Sequence, residues 1–345
     1  MSYRDIIRAN CEQHSAVAWW PKFAFHYTDV SNTVNILSCG KLYSRTRAKS
    51  LGLMVNDNAS RQVIDMTHTE AIASVRFYFR PLTPTQYHNE GFKHPDLRYD
   101  GDTNANVPVP VFLLFDLEKV LSMPGVMFSE TVQSGYGSNL HDGEEAFARF
   151  RFDRIYSTGY APNFDETKKY RHAEMLFPNE FGIDSSINAI LCRNNIERTT
   201  LLNCIKEIDL KAYHKYRSII KVCKKDMFEN NALFIRACQY HAGVVSITFS
   251  DIYNRMRYAK RVMERQGITT LRPMMGRLEL VWGNARSICY RTAIESPVDY
   301  AKTGTIQFRN LPKVPLAKTL QIRYFVEDRL MCFVEQTLEA AELIK

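Results

Sequence analysis

The chain has no CxxC pair, no HxxxH or HExxH spacing, no GxGxxG stretch and no apolar run near the length of a membrane span. Each absence removes a class. Its eight cysteines (Cys11, Cys39, Cys192, Cys204, Cys223, Cys238, Cys289, Cys332) are scattered, and most sit among apolar neighbours. They read as reduced core thiols, not as a disulfide framework. The nine histidines show no metal-ligand spacing, so no metal site is expected. Without a glycine-rich turn a doubly wound dinucleotide fold is disfavoured. The start, Met1-Ser2-Tyr3-Arg4-Asp5, has no apolar leader. A cytoplasmic protein without a membrane partner is therefore expected. Internal repeats and low-complexity tracts are also absent.

What is present is a globular composition, 45% hydrophobic and 24% charged over 345 residues, long enough for two domains. A net charge of +8 points to a polyanionic partner. The cations cluster at Arg45, Arg47 and Lys49, at Lys221, Lys224 and Lys225, and along Arg255, Arg257, Lys260, Arg261 and Arg265. For any one such cluster a solvated helix face is the default.

The pattern divides near residue 205, giving an expected domain at 1–205 and an α+β accessory domain at 206–345. In the first, strands are expected at 22–27, 75–79, 109–115 (almost wholly apolar and so central), 125–128, 173–177 and 187–192. A helix capped by Asp29 or Ser31 and ended by Gly40 follows the first strand. Two polar stretches, 44–74 and 82–107, read as long functional loops. In the second domain residues 206–241 look helical, and a strand at 244–249 leads to a helix capped by Ser250 and closed by Gly267. Ile252, Met256, Ala259 and Met263 are its expected apolar face, with the arginines opposite. Strand-like runs at 277–282, 287–292, 305–309 and 320–325 precede a final amphipathic helix at about 326–344.

Glu174 is the most informative single residue. It stands alone in the apolar run Ala173-Glu174-Met175-Leu176-Phe177, where an unexplained carboxylate is costly. Upstream, Tyr156, Tyr160, Phe164, Lys168, Lys169, Tyr170 and Arg171 mix rings with cations, a combination suited to phosphates and bases. A strand-edge glutamate paired with an arginine is the bland alternative.

Further motifs carry a family resemblance. They are Phe25-His26-Tyr27-Thr28-Asp29-Val30 with Gly40-Lys41-Leu42 downstream, Phe77-Tyr78-Phe79-Arg80-Pro81-Leu82-Thr83-Pro84, Val111 to Leu117, Gly125 to Glu130, and Ala173-Glu174-Met175-Leu176. In this order, over about residues 22–205, they resemble the DarT group of nucleic-acid ADP-ribosyltransferase toxins. The resemblance implies an α+β, ADP-ribosyltransferase-like split twisted sheet with flanking helices, and a cleft for NAD+ as co-substrate. It makes Glu174 the catalytic glutamate, lets His26 with Thr28 hold a ribose, and lines the nicotinamide pocket with Tyr78. An essential arginine is expected in the loop before the FYF strand. Arg61 is the first choice, with Arg45 or Arg47 as alternatives. Tyr160, Lys168, Lys169, Tyr170 and Arg171 would present the acceptor base.

That chemistry suits the residue types. Loss of nicotinamide builds positive charge at the ribose carbon, which a fixed carboxylate stabilises and an arginine fork helps to position. The expected acceptor is single-stranded DNA, with RNA a close second and protein a weaker third. A toxin-like role in phage defence with an antitoxin partner goes with the resemblance. The other class is a non-catalytic nucleic-acid or partner-binding protein on the same fold.

Overall fold

The structure, a computed structural model, describes residues 1–57, 69–98, 106–131, 139–159, 164–284 and 287–338. Its strands are β1 (Phe23–Asp29), β2 (Lys41–Tyr43), β3 (Ser74–Tyr78), β4 (Pro110–Asp116), β5 (Met127–Ser129), β6 (Glu174–Pro178), β7 (Glu180–Gly182), β8 (Ile187–Cys192), β9 (Ile220–Val222), β10 (Ile235–His241), β11 (Val244–Phe249), β12 (Met274–Gly283), β13 (Ile288–Val298), β14 (Thr305–Phe308), β15 (Thr319–Val326) and β16 (Arg329–Thr337). Seven of them form one sheet in the order β5-β6-β3-β1-β4-β8-β9. β4 is buried along almost its whole length, as its apolar run requires. Seven residue pairs join β1 to β4 and five join β3 to β6, but β1 and β3 share one, Phe25 with Tyr78. The sheet therefore parts at the β1–β3 seam, and the architecture is the expected α+β class with a split sheet.

The helix Val30–Cys39 follows β1 because Asp29 accepts a hydrogen bond from the Ser31 amide at its start and Gly40 adopts a left-handed φ of 68° at its end. The helix Asn195–Ile208 packs on it and starts with an Asn194 cap. β9 lies beyond residue 205 yet pairs with β8, so the first sheet extends past the expected boundary, which falls within the Asn195–Ile208 helix. The first core runs as far as Phe228, and the second resumes at Leu233.

The second half holds a three-stranded sheet, β10-β11-β14, and a four-stranded one, β13-β12-β15-β16. Three expectations fail here for local reasons. Helix ends at Ile208 and Tyr216, and much of the remaining 206–241 segment is extended in β9 and β10. Where the final helix was expected, Arg329–Thr337 form β16, since Glu327 and Asp328 both take positive φ and turn the chain back onto β15; the rest of that span from 339 lies outside the described residues. Helix formers at that turn concealed a hairpin. The helix Ile252–Gln266 is capped by Asp251, not Ser250, and buries Arg255, Tyr258, Ala259 and Val262. Arg255 lies inside because its guanidinium donates to the carbonyls of Ser250, Tyr300 and Thr303.

Residues 82–98 were expected as part of a loop, but they form a buried bridge between the cores. They include the helix Pro84–Asn89, and Phe92 exchanges backbone hydrogen bonds with Leu233. Gly91, at φ 71°, lets the chains meet, because a Cβ there would stand 2.7 Å from that of Ala232. All eight cysteines are free, but only Cys192, Cys238 and Cys332 are buried, so the expectation of core thiols was too broad. Among the described residues no helix is long and apolar enough to cross a membrane, and no cluster of His, Cys, Asp and Glu is fit to hold a metal ion.

Candidate active site

At the parted seam the alternation of β3 buries Val75 and Phe77 and leaves Arg76 and Tyr78 partly exposed. The antiparallel register sets Tyr78 opposite Glu174, with Ser129 of β5 on the other side of the same residue. Glu174 is 0% exposed. Its carboxylate accepts two hydrogen bonds from the Arg76 guanidinium, at 2.6 Å from Nε and 2.9 Å from Nη2. This fork geometry is the strongest way to keep a buried carboxylate charged. Burial works against the Arg76 charge, but the Glu174 carboxylate more than offsets it and raises the guanidinium's proton affinity.

Arg76 had no role in the sequence reading. The alternation of Val75-Arg76-Phe77-Tyr78 was its signal, since a cation at the exposed phase of an aromatic strand needs a partner. Glu174 is thus the arginine-paired acid of the bland reading, and the pairing is compatible with the functional one.

His26 of β1 joins the cluster through Nδ1, which donates to the Arg76 carbonyl at 3.0 Å. Nε2 is then an acceptor in the neutral ring. Burial lowers the His26 pKa and favours that neutral form. Thr28 is buried and accepts from Asn32 at 3.3 Å. Asn32 also donates to the Asn56 carbonyl and accepts from the Val55 and Asn56 amides, pinning the segment that carries Asp57.

Asp57 pairs with Arg45 at 2.5 Å. Arg45 is mostly buried, and burial lowers its proton affinity, against which Asp57 acts; the neighbouring Arg76 charge lowers it too. Arg45 thus lies within electrostatic reach of Arg76 and Tyr78. Arg47 is ion-paired instead with Glu180, at 2.9 Å. Arg61 and Tyr160 lie outside the described residues.

The acceptor-side residues sit on and after the helix Phe164–Tyr170. Lys168 is half-buried and Lys169 exposed, with its ammonium 5.2 Å from the Tyr170 ring centre. Arg171 donates to Ser157 Oγ and the Gly159 carbonyl. Arg80, fully buried, donates to the carbonyls of Pro81, Ile155 and Ser157, so both arginines brace the same loop. Between this group and Glu174 lies His172. Its pKa is pushed down to about 3, first by burial and then by the positive charges of Arg76, Lys168, His88 and Arg80. Neither His172 nor Arg80 was singled out as a site residue from the sequence. Glu229, from beyond the first sheet, also faces Arg80 and Arg171, and burial with the nearby Glu90 charge raises its pKa to about 7.

A family model described as "ssDNA thymidine ADP-ribosyltransferase, DarT" matches residues 25–220, more than half of the chain. Among solved structures, Thermus sp. 2.9 DarT in complex with ADP-ribosylated ssDNA is similar at 17% identity and a TM-score of 0.46, covering 60% of this chain and 96% of that one. The same Thermus protein with carba-NAD+ gives 17% identity and a TM-score of 0.45, over 60% and 98% of the two chains. Thermosipho africanus DarTG in complex with ADP-ribose gives 14% identity and 0.46, over 60% and 51%. No curated protein matches the chain. On the family match over residues 25–220, the chain belongs to the DarT family of NAD+-dependent single-stranded-DNA ADP-ribosyltransferases.

Proposed function

We propose that this protein transfers ADP-ribose from NAD+ to a thymine base of single-stranded DNA, with Glu174 as the catalytic carboxylate. The observation that carries the residue assignment is the Arg76–Glu174 fork at the parted seam, with His26 and Tyr78 around it. The donor set fits a dinucleotide. Nε2 of His26 is left as an acceptor for a ribose hydroxyl, and the Tyr78 hydroxyl has no hydrogen-bond partner among the described residues. Arg45 is the cation placed to meet the pyrophosphate, its charge only partly offset by Asp57.

When bound, NAD+ supplies the ribose carbon that changes partners from nicotinamide to the base. Glu174 holds negative charge against the positive charge that develops there, and it is preorganised because Arg76 fixes both oxygens. Its second task is to take the proton displaced from the acceptor nitrogen. Neutral His26 and Tyr78 orient the ribose and wall off the nicotinamide side. Lys168, Lys169, Tyr170 and Arg171 receive the single strand, and neutral His172 spaces them from the catalytic pair. The unit around the second core, resuming at Leu233, is accessory in this reading. A toxin role, with an antitoxin that removes the mark or binds the enzyme, completes it.

The test is label transfer from radioactive NAD+ to single-stranded DNA, RNA and protein in parallel, with Glu174→Ala as control. Label on thymine-containing single-stranded DNA, lost in the variant, is the expected result. Label on RNA alone would move the acceptor assignment, and no label with intact NAD+ binding would leave a binding protein on the family fold.

A further inference from the structure

Exposed cations over much of the surface stand beside carboxylates. Arg4 meets Glu118, Arg47 meets Glu180, Lys49 meets Asp57, Lys206 meets Glu335 and Lys215 meets Asp184. The helix Ile252–Gln266 breaks this pattern. Away from its buried face it exposes Arg257, Lys260, Arg261 and Arg265. None of the four pairs with a carboxylate among the described residues, and Glu264 is the single acid in the helix. Tyr253, Arg257, Arg261 and Arg265 recur every fourth residue, so they climb one side of the helix in steps of about 6 Å. Tyr253 is 72% exposed, a large ring with no core to fill.

The helix is fixed to the segment that follows β3. Its Tyr258 ring packs 5.4 Å from that of Tyr87 and lies under the Lys93 ammonium at 3.8 Å. Tyr87 belongs to the short helix Pro84–Asn89, which begins six residues after Tyr78 of β3. Next to Tyr87, His88 senses the charges of Lys168, Lys93 and Arg265 together. Lys168 of the acceptor helix and Arg265 of the Ile252–Gln266 helix are thus both within electrostatic reach of His88.

We propose that the exposed side of the Ile252–Gln266 helix is a track for the phosphate backbone of single-stranded DNA, holding nucleotides several positions from the base that is modified. This rests on the single-stranded DNA reading above. Unpaired arginines at regular spacing neutralise successive phosphates and release their counterions, and the exposed Tyr253 ring offers a base a stacking face. These residues lie outside 25–220, so the track is what this chain adds to the part that matches the family.

The experiment uses the full chain without NAD+. Binding of fluorescent oligothymidylates of about 24 and about 6 nucleotides is measured over a range of salt, for the unaltered protein and for a variant with Arg257→Gln, Arg261→Gln and Arg265→Gln. The variant is expected to bind the long strand about tenfold more weakly or worse at low salt. Its log-log salt slope should be shallower by about 2, since each single-strand phosphate contact contributes about 0.7. The short strand should shift less than about twofold, because it is held at the acceptor side. Unchanged affinity and slope for the long strand overturns the proposal, as does an equal loss for both lengths. Tyr253→Ala gives an independent reading at constant charge, with weaker long-strand binding and an unaltered slope expected. Because the readout is binding, absence of label transfer by the unaltered protein would sink the proposed function without deciding the track.

Discussion

Arg76 meets Glu174 through hydrogen bonds of 2.6 and 2.9 Å, whereas Arg193 stands 3.2 Å from Glu197 and 3.5 Å from Glu90 with none of its side-chain nitrogens in hydrogen-bonding geometry. All three carboxylates are buried. In the first pair the guanidinium gains proton affinity from its partner. In the second set the arginine lies over the Phe234 ring, 3.9 Å from its centre, while Glu90 is satisfied by Gln86 and by the Glu229 and Asn230 amides. Glu197, left with one unsatisfied oxygen, has its pKa raised to about 7 by burial. Alignment, more than nearness, decides whether a buried arginine and carboxylate hydrogen-bond to one another. The aligned pair sits at the seam of the split sheet, and the loose one cements the junction of the two cores.

If that contrast is functional, the largest effect belongs to Glu174. Glu174→Gln keeps the shape and one acceptor oxygen for Arg76 but removes the charge, so transfer should fall by about 10³-fold or more. Near-normal transfer by a folded variant would take Glu174 out of the chemistry. Arg76→Lys replaces a fork with a point charge and should lower kcat by about 10²-fold. The matching change at the junction, Arg193→Lys, should lower thermal stability and leave kcat within about twofold, because the junction touches no substrate. Equal losses of activity from the two lysine variants would erase the distinction.

A smaller effect separates the candidate arginines. Arg45→Gln should raise the KM for NAD+ by about tenfold, the scale of one charge-assisted contact, while Arg47→Gln, already committed to Glu180, should change it little. The opposite ranking in steady-state kinetics would return the essential role to Arg47 or to Arg61.

Much of the first sheet was legible because its strands carry long apolar or aromatic runs bounded by proline and glycine, as in 109–115 and 75–79. Glu174, His26 and Tyr78 were named as a set through motif order, and the structure gathers them at one seam. Arg76 was not, since its importance comes from a cross-strand register that the sequence does not state. Arg45 could be named but its position could not be told from that of Arg47, because it depends on the Asn32 hub holding Asp57 in place. The second half misled wherever an unusual backbone overrode local preference. Glu327 and Asp328 turn at positive φ without the expected glycine or asparagine, and Arg255 is buried only because three distant carbonyls receive it.

The smallest expected effect is on stability, at the loose junction. Glu197 has a folded pKa near 7 against an ordinary value of 4.5, so the folded state retains a proton that the unfolded chain has released between those limits. Its contribution is full below about pH 4.5 and is lost as pH rises through 7, by roughly 3 kcal/mol in all. Glu229 is raised in the same direction. His26 and His172 act oppositely, since their lowered values make folding more favourable as pH climbs toward 6.5. The informative quantity is therefore the difference between the unaltered protein and Glu197→Gln. Glutamine carries no titration, so the variant should gain a few degrees of melting temperature relative to the unaltered chain between pH 5 and pH 8. A constant difference across that range would mean that Glu197 stays ionised, and that a poorly aligned buried arginine holds a carboxylate as well as a fork does.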